Sequence, residues 1–221
     1  QSIKIYAESS PVYSDYPHGT GVAERMYQVI PDAKLIYMVR DPIDRTVADY
    51  FHHYFQHKED RTLEEALQEG RNSTYVRGSC YYDRIQTFLE FYPEEHIFIG
   101  DLHQLKINRQ SMLQQVFQFL EVDVNFYDSR FDGQKNVAVD RRRRTKLGHH
   151  IMGFLYYFLG LRYLPSSLKN NLKSVFDRPF TRPIEKPEVS AEMQQLLIDL
   201  LQDDANQFRQ FTGLTFSHWQ L

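Results

Sequence analysis

Cysteine is almost absent: Cys80 is the single thiol in 221 residues. No intrachain disulfide can form, which fits a reducing compartment. One-sided charge is missing too. The 26 Lys and Arg stand against 29 Asp and Glu, a formal net charge of −3, which gives no global pull toward nucleic acid or an anionic membrane. Any anion site must therefore be local. Long apolar stretches are also lacking. The longest apolar-rich run, IMGFLYYFLGL at 151–161, is far short of the roughly 20 residues a membrane span needs. No segment reads as a signal peptide. Internal repeats and low-complexity linkers are missing, and at this length one domain is the default. Asn72-Ser73-Thr74 is a glycosylation sequon, a weak signal when it stands alone.

What is present is ordinary globular material, 42% hydrophobic and 25% charged, with 15 Tyr, 16 Phe and one Trp. Such a chain can bury a sizeable core. IKIYAE (3–8) is short, β-branched and followed by Ser-Ser-Pro, and is expected to be a strand. KLIYMV (34–39) is a continuous apolar run of the kind buried in a parallel sheet, and HIFIG (96–100) is a third strand. Helices are expected over 21–30, 42–57, 62–70, 81–92, 109–121 and about 190–211. Thr62 and Glu65 have capping-box spacing. Strand and helix alternate, which argues for a parallel sheet with helices on both faces. From about residue 125 the strands are expected to stop, leaving a helical or irregular C-terminal half.

The stretch KLIYMVRDPIDRTVADY (34–50) carries the most chemistry. In an open α/β sheet, ligands sit beyond the carboxyl ends of the strands. Arg40 stands at such an end. Asp41 suits an N-cap and Pro42 the first helical position. A guanidinium and helix-start amides converging on one crevice make good anion chemistry. The structural alternative is that Asp41 and Pro42 only start a helix while Arg40 pairs with a nearby carboxylate. A second arginine, Arg45, follows on the helix.

This stretch resembles the 3'-phosphate-binding segment of the PAPS-dependent sulfotransferases. Upstream, YAESSPVYSDYPHGTGVAERMYQVIPDAKLIYMVRDP is similar to their run of strand, Glu, Ser-Pro-x-Tyr, V-x-x-R helix and Pro-x-x-K strand. Downstream, GSCYYDRIQTFLEFYPEEHIFIGDLHQL looks like their Tyr-containing helix, Phe-Tyr-Pro turn and following strand. The tail FTGLTFSHW resembles their C-terminal G-x-x-F-x-W ending. The likeness is greatest to heparan-sulfate-type and bacterial members. It covers about 3–122 and 180–219, and 125–178 does not align.

The resemblance implies an α/β fold: a three-layer parallel sheet flanked by helices, related to P-loop kinases, with a helical C-terminal half, as one sulfotransferase-like domain over 1–221. It implies in-line transfer of a sulfuryl group from PAPS to an acceptor hydroxyl or amine on a carbohydrate, lipid or acyl chain, leaving PAP. Arg40 falls on the arginine that binds the 3'-phosphate, and Glu8 on the catalytic base of the heparan-sulfate members. Arg182 lies near the late basic loop that closes over the 3'-phosphate, with a plain surface arginine as the alternative. Tyr81 falls on a position beside the active crevice, or is a core tyrosine. Partners would be PAPS and the acceptor, without nucleic acid or a transmembrane segment. The expected compartment is the cytoplasm, or the Golgi lumen in a eukaryote.

Two positions depart from the family. Ala48 stands where relatives carry a serine whose hydroxyl also binds the 3'-phosphate, and Thr46 projects elsewhere along the helix. A hydrogen bond to a charged group is typically worth about 1.5–3 kcal/mol, so weaker PAPS binding is expected. Ser9 replaces the lysine that follows the glutamate in heparan-sulfate members, which makes polysaccharide less fitting. The family's first strand and Lys-containing phosphosulfate loop would precede residue 1. Such a loop of amides and a lysine stabilises charge on the transferring group, and the chain as it stands is expected to be inactive alone.

Other features have bland readings. Cys80 has no base with a claim on it. His52, His53, His57 and the pair His149-His150 signal no third metal ligand. Arg141 to Arg144 read as a solvated basic turn or an acid-attracting patch. The 151–164 run reads as a core helix, an acyl pocket or a docking face. A second function class remains open: a non-catalytic, sulfotransferase-like binding module that docks a protein or lipid, favoured by Ala48. A nucleotide kinase of related fold would also need a phosphate loop.

Overall fold

In the computed structural model the described residues are 6–10, 12–15, 17–133, 142–145, 151, 154, 181–183 and 187–221. They fall into two compact units. The first comprises Gln1–Tyr50, Arg61–Phe131 and Glu188–Leu221; the second comprises Phe51–Asp60 and Asp132–Pro187.

The first unit is built on two parallel strands. β1 (Leu35–Val39) pairs β2 (Ile97–Asp101) in a register that sets Leu35 against Ile97 and Val39 against Asp101. Their carboxyl ends therefore lie side by side. Helix α1 (Val22–Val29) precedes β1, and α2 (Pro42–Phe55), α3 (Leu63–Leu67), α4 (Thr74–Ser79) and α5 (Tyr81–Leu89) form the crossover to β2. Then come α6 (Leu102–Ile107), α7 (Arg109–Phe119) and the long α8 (Ala191–Thr212). This is α/β architecture with a parallel sheet, as the alternation of elements predicts.

Side-chain alternation along the strands sorts the two pleat faces. Val39, Tyr37, Ile97 and Ile99 join a core completed by Tyr81 and Ile85 of α5 and by Ala205 and Phe208 of α8. On the other face Phe98 meets Phe119 of α7 with ring centroids 5.5 Å apart. Ile36 and Met38 on that face stay 42% and 40% exposed. After α8, Gly213 takes the left-handed conformation that ends the helix (φ 68°). The chain then folds back so that Phe216 and Trp219 stack 4.2 Å apart and Trp219 lies parallel to Phe208. The G-x-x-F-x-W tail is thus part of the core.

Local signals explain the helix starts. The capping box at α3 is formed both ways, Glu65 N–H to Thr62 Oγ1 at 3.3 Å and Thr62 N–H to Glu65 Oε2 at 2.8 Å. Ser190 caps α8 through the Met193 N–H.

Three expectations are corrected. Tyr6 to Ser10 form no strand, and Tyr6 is 87% exposed, so no burial holds an extended ladder there; residues 3–5 lie outside the described ones. Strands do not stop at 125. In the second unit β3 (Arg142–Arg144) and β4 (Thr181–Pro183) pair antiparallel, with Arg143 opposite Arg182. Three polar residues carry no alternating pattern, so only the distant partner defines such a strand. Finally, α2 ends at Phe55, and His57 has φ 58°, so His53 and His57 do not share a helical face. Of the 151–164 run only Ile151 and Phe154 are described, both helical; His149 and His150 lie outside the described residues.

Candidate functional site

The site begins where β1 ends. Asp41 is buried (6% exposed) and its Oδ1 accepts the Asp44 N–H at 2.9 Å, capping α2 with Pro42 in the first helical position. Its Oδ2 accepts the backbone N–H of Gln220 at 2.6 Å. Both carboxylate oxygens of the nearest acid are thus engaged by amides.

Arg40 is half-buried beside it. Its backbone N–H donates to the Tyr81 hydroxyl at 3.2 Å. Among the described residues its guanidinium has no hydrogen bond and no carboxylate partner. Among the described residues no acid stands as the partner that the alternative reading of Arg40 requires. A half-buried guanidinium without a counter-ion is a natural anion receptor.

Tyr81 is a core tyrosine. It is 2% exposed, packs at a tilt against Phe208 and Trp219 in the core, and sends its hydroxyl to the strand end. Burial pushes its pKa up to about 12, with the Arg45 charge partly offsetting the shift. Tyr37, one pleat before Val39, is raised by burial too, with Ser14 and the Arg45 charge partly offsetting the shift.

Tyr13 donates its hydroxyl to Glu8 Oε2, and this bond is the main cause of the raised Tyr13 pKa. Glu8 is exposed and irregular rather than at the end of a described strand. Tyr13 and Ser14 also line a cleft of about 320 Å³ shared with Gly21 and Glu24 at the start of α1 and with Phe91.

On α2, Thr46 is fully buried and its hydroxyl lies 2.9 Å from Pro42 O and 2.8 Å from Ser79 Oγ. It cannot turn to a ligand, so it does not replace the hydroxyl missing at the half-buried Ala48. Arg182 is exposed on β4 and belongs to the second unit. There Arg143 of the basic run is internally engaged, 3.8 Å over the Tyr54 ring and 3.0 Å from Glu59 O.

Two features escaped the sequence reading. The Asp41 to Gln220 bond has no local signal, because its partners lie 179 residues apart. Arg45 was visible but without a role. Its guanidinium reaches Ser79 Oγ at 3.4 Å and occupies the space left open by Gly78. Among the described residues no three His, Cys, Asp or Glu side chains gather as metal ligands, and no helix is long and apolar enough to cross a membrane.

The chain is similar to a crystal structure of a sulfotransferase from Alicyclobacillus acidocaldarius, at 21% identity and a TM-score of 0.46, covering 72% of this chain and 64% of that one. It thus spans just under two thirds of that protein's length. A family model for the sulfotransferase domain matches residues 25–149, which include β1, Arg40, all of the crossover and β2. With more than half of its length matched in this way, the chain belongs to the sulfotransferase-domain family.

Proposed function

We propose that the protein transfers a sulfuryl group from PAPS to an acceptor hydroxyl or amine by in-line displacement. The observation that carries this reading is Arg40: a half-buried guanidinium at a strand's carboxyl end, with no protein counter-ion among the described residues, beside an aspartate already held by two amides. Arg40 would hold the nucleotide's 3'-phosphate. Tyr81 fixes the backbone there and, being protonated to about pH 12, keeps its hydroxyl. Glu8, supported by Tyr13, would accept the acceptor's proton as its oxygen or nitrogen attacks sulfur and the sulfur–oxygen bond to PAP breaks. The adjoining cleft of about 320 Å³ would admit the acceptor.

The same reading extends the β1–β2 pair into the three-layer, P-loop-kinase-like sheet of a single domain, and assigns charge stabilisation on the transferring group to a Lys-containing loop. The single thiol supports a reducing compartment such as the cytoplasm.

A calorimetric titration tests the reading. Arg40→Ala in the full-length protein is expected to weaken PAP binding by about tenfold or more, since charge-assisted bonds are worth roughly 1.5–3 kcal/mol; unchanged affinity would remove its foundation. A second reading, a non-catalytic module that binds a protein or lipid, is favoured by Ala48. It predicts no turnover with any hydroxyl or amine acceptor, even in the full-length protein with PAPS bound.

A further inference from the structure

Arg45 lies in the first turns of α2 and is half-buried. Two aspartates stand within helical reach, Asp41 one turn before and Asp49 one turn after. Among the described residues neither pairs with it, and each Asp41 oxygen accepts one backbone amide. The Arg45 fork points instead toward α4, where Nη1 makes a long 3.4 Å contact with Ser79 Oγ. It fits there because position 78 is glycine. A β-carbon at Gly78 would lie 2.7 Å from Nη1 and 3.6 Å from Nη2. Its charge is felt by two neighbouring phenols, Tyr37 and Tyr81, whose burial-driven upward shifts it partly offsets. A guanidinium carries five N–H donors, and among the described residues one long contact uses only one of them.

We propose that Arg45 is a second phosphate-holding group of the nucleotide site, standing in for the hydroxyl that Ala48 lacks; this rests on the nucleotide reading above. Ala48 is three residues beyond Arg45, on the same face of α2. A ligand anchored by Arg40 and lying along that face meets the Arg45 fork one turn earlier than it would meet a side chain at 48. A guanidinium offers a phosphate paired, charge-assisted donors where a serine offers one neutral donor. The ligand class is a nucleotide bearing a phosphomonoester on the ribose 3' oxygen. The glycine at 78 is then a specificity feature, since it leaves room for the fork.

Titration of the full-length protein with PAP, and with adenosine 5'-phosphate, which lacks the 3'-phosphate, tests this. Arg45→Gln is expected to weaken PAP binding by roughly 10- to 100-fold and to leave adenosine 5'-phosphate affinity unchanged. Gly78→Ala keeps the charge but displaces the fork. It is expected to weaken PAP binding while melting no lower than the wild type, because alanine is the better helix former. Adding Ala48→Ser to Arg45→Gln is expected to recover part of the loss. Wild-type PAP affinity in Arg45→Gln, or an equal loss for both nucleotides, overturns the assignment. If Arg40→Ala weakens PAP binding and Arg45→Gln does not, only Arg45 loses its role. If neither substitution matters, the nucleotide reading falls with it.

Discussion

The carboxylate of Asp41 accepts the backbone N–H of Gln220 at 2.6 Å, joining residues 179 positions apart. The same side chain caps α2 through Asp44 N–H. One buried acid therefore ties the C-terminal turn to the strand end that carries Arg40. Among the described residues the Asp41 carboxylate pairs with neither arginine, and each of its oxygens accepts one backbone amide.

Removing this tie should be costly. Loss of an N-cap and of a bond to a charged acceptor together correspond to about 2–5 kcal/mol. Asp41→Ala is expected to lower unfolding stability by that amount in a urea titration. Asp41→Asn, which retains one acceptor oxygen, should fall between the two. An alanine variant as stable as the wild type would show that the Asp41 bonds contribute little.

Cys80 should be chemically quiet. Its thiol faces Val76 O at 3.4 Å, and burial pushes its pKa up to about 12. The thiolate is the reactive form, and at mildly alkaline pH it is scarce in the folded protein. A disulfide reagent is expected to label Cys80 slowly in the native state and rapidly in denaturant. Fast native labelling would contradict the burial and reopen a nucleophilic role.

Much of this was legible from local pattern. The apolar run before Arg40, the Asp-Pro start of α2 and the Thr62/Glu65 box each encode an element within a few residues. Their caps and bounds follow. Arg40 was legible because strand-end position and residue type suffice to suggest an anion site. The placement of Arg45 was not, because its guanidinium lies against Gly78, which reaches it only after α4 folds against α2. Helix α4 itself is six residues with no apolar period long enough to read. The three-residue pair β3–β4 exists only through long-range pairing.

Asp204 offers a test of pH linkage. It is half-buried on α8 and accepts the Tyr82 N–H at 3.1 Å and the Asp83 N–H at 2.9 Å at the start of α5. Burial, the largest influence, raises its pKa above the ordinary value. The folded state then holds the proton more tightly than the unfolded one, so stability contributed by this group falls as pH rises through the folded value. Relative to Asp204→Asn, the wild type is expected to gain stability as the pH drops from 7 to about 4. Chemical denaturation of both proteins at each pH measures the difference. A trend in the other direction would mean that the two amide bonds outweigh the burial.

Glu8 carries the most demanding prediction. It is exposed, and its carboxylate accepts the Tyr13 hydroxyl. A carboxylate oxygen has more than one lone pair, so the Tyr13 bond leaves capacity to accept a proton. A positioned base typically contributes about 10²–10⁴ in rate. Glu8→Gln in the full-length protein is therefore expected to lose turnover by at least the lower figure while PAP affinity holds. Tyr13→Phe removes only the orienting bond and should lose less. Turnover and PAP affinity must be measured on one preparation, so that a misfolded variant, which loses both, is told apart from one that has lost only its base. A glutamine variant that transfers sulfate at the wild-type rate would move the base to another group, with His18 the next to substitute.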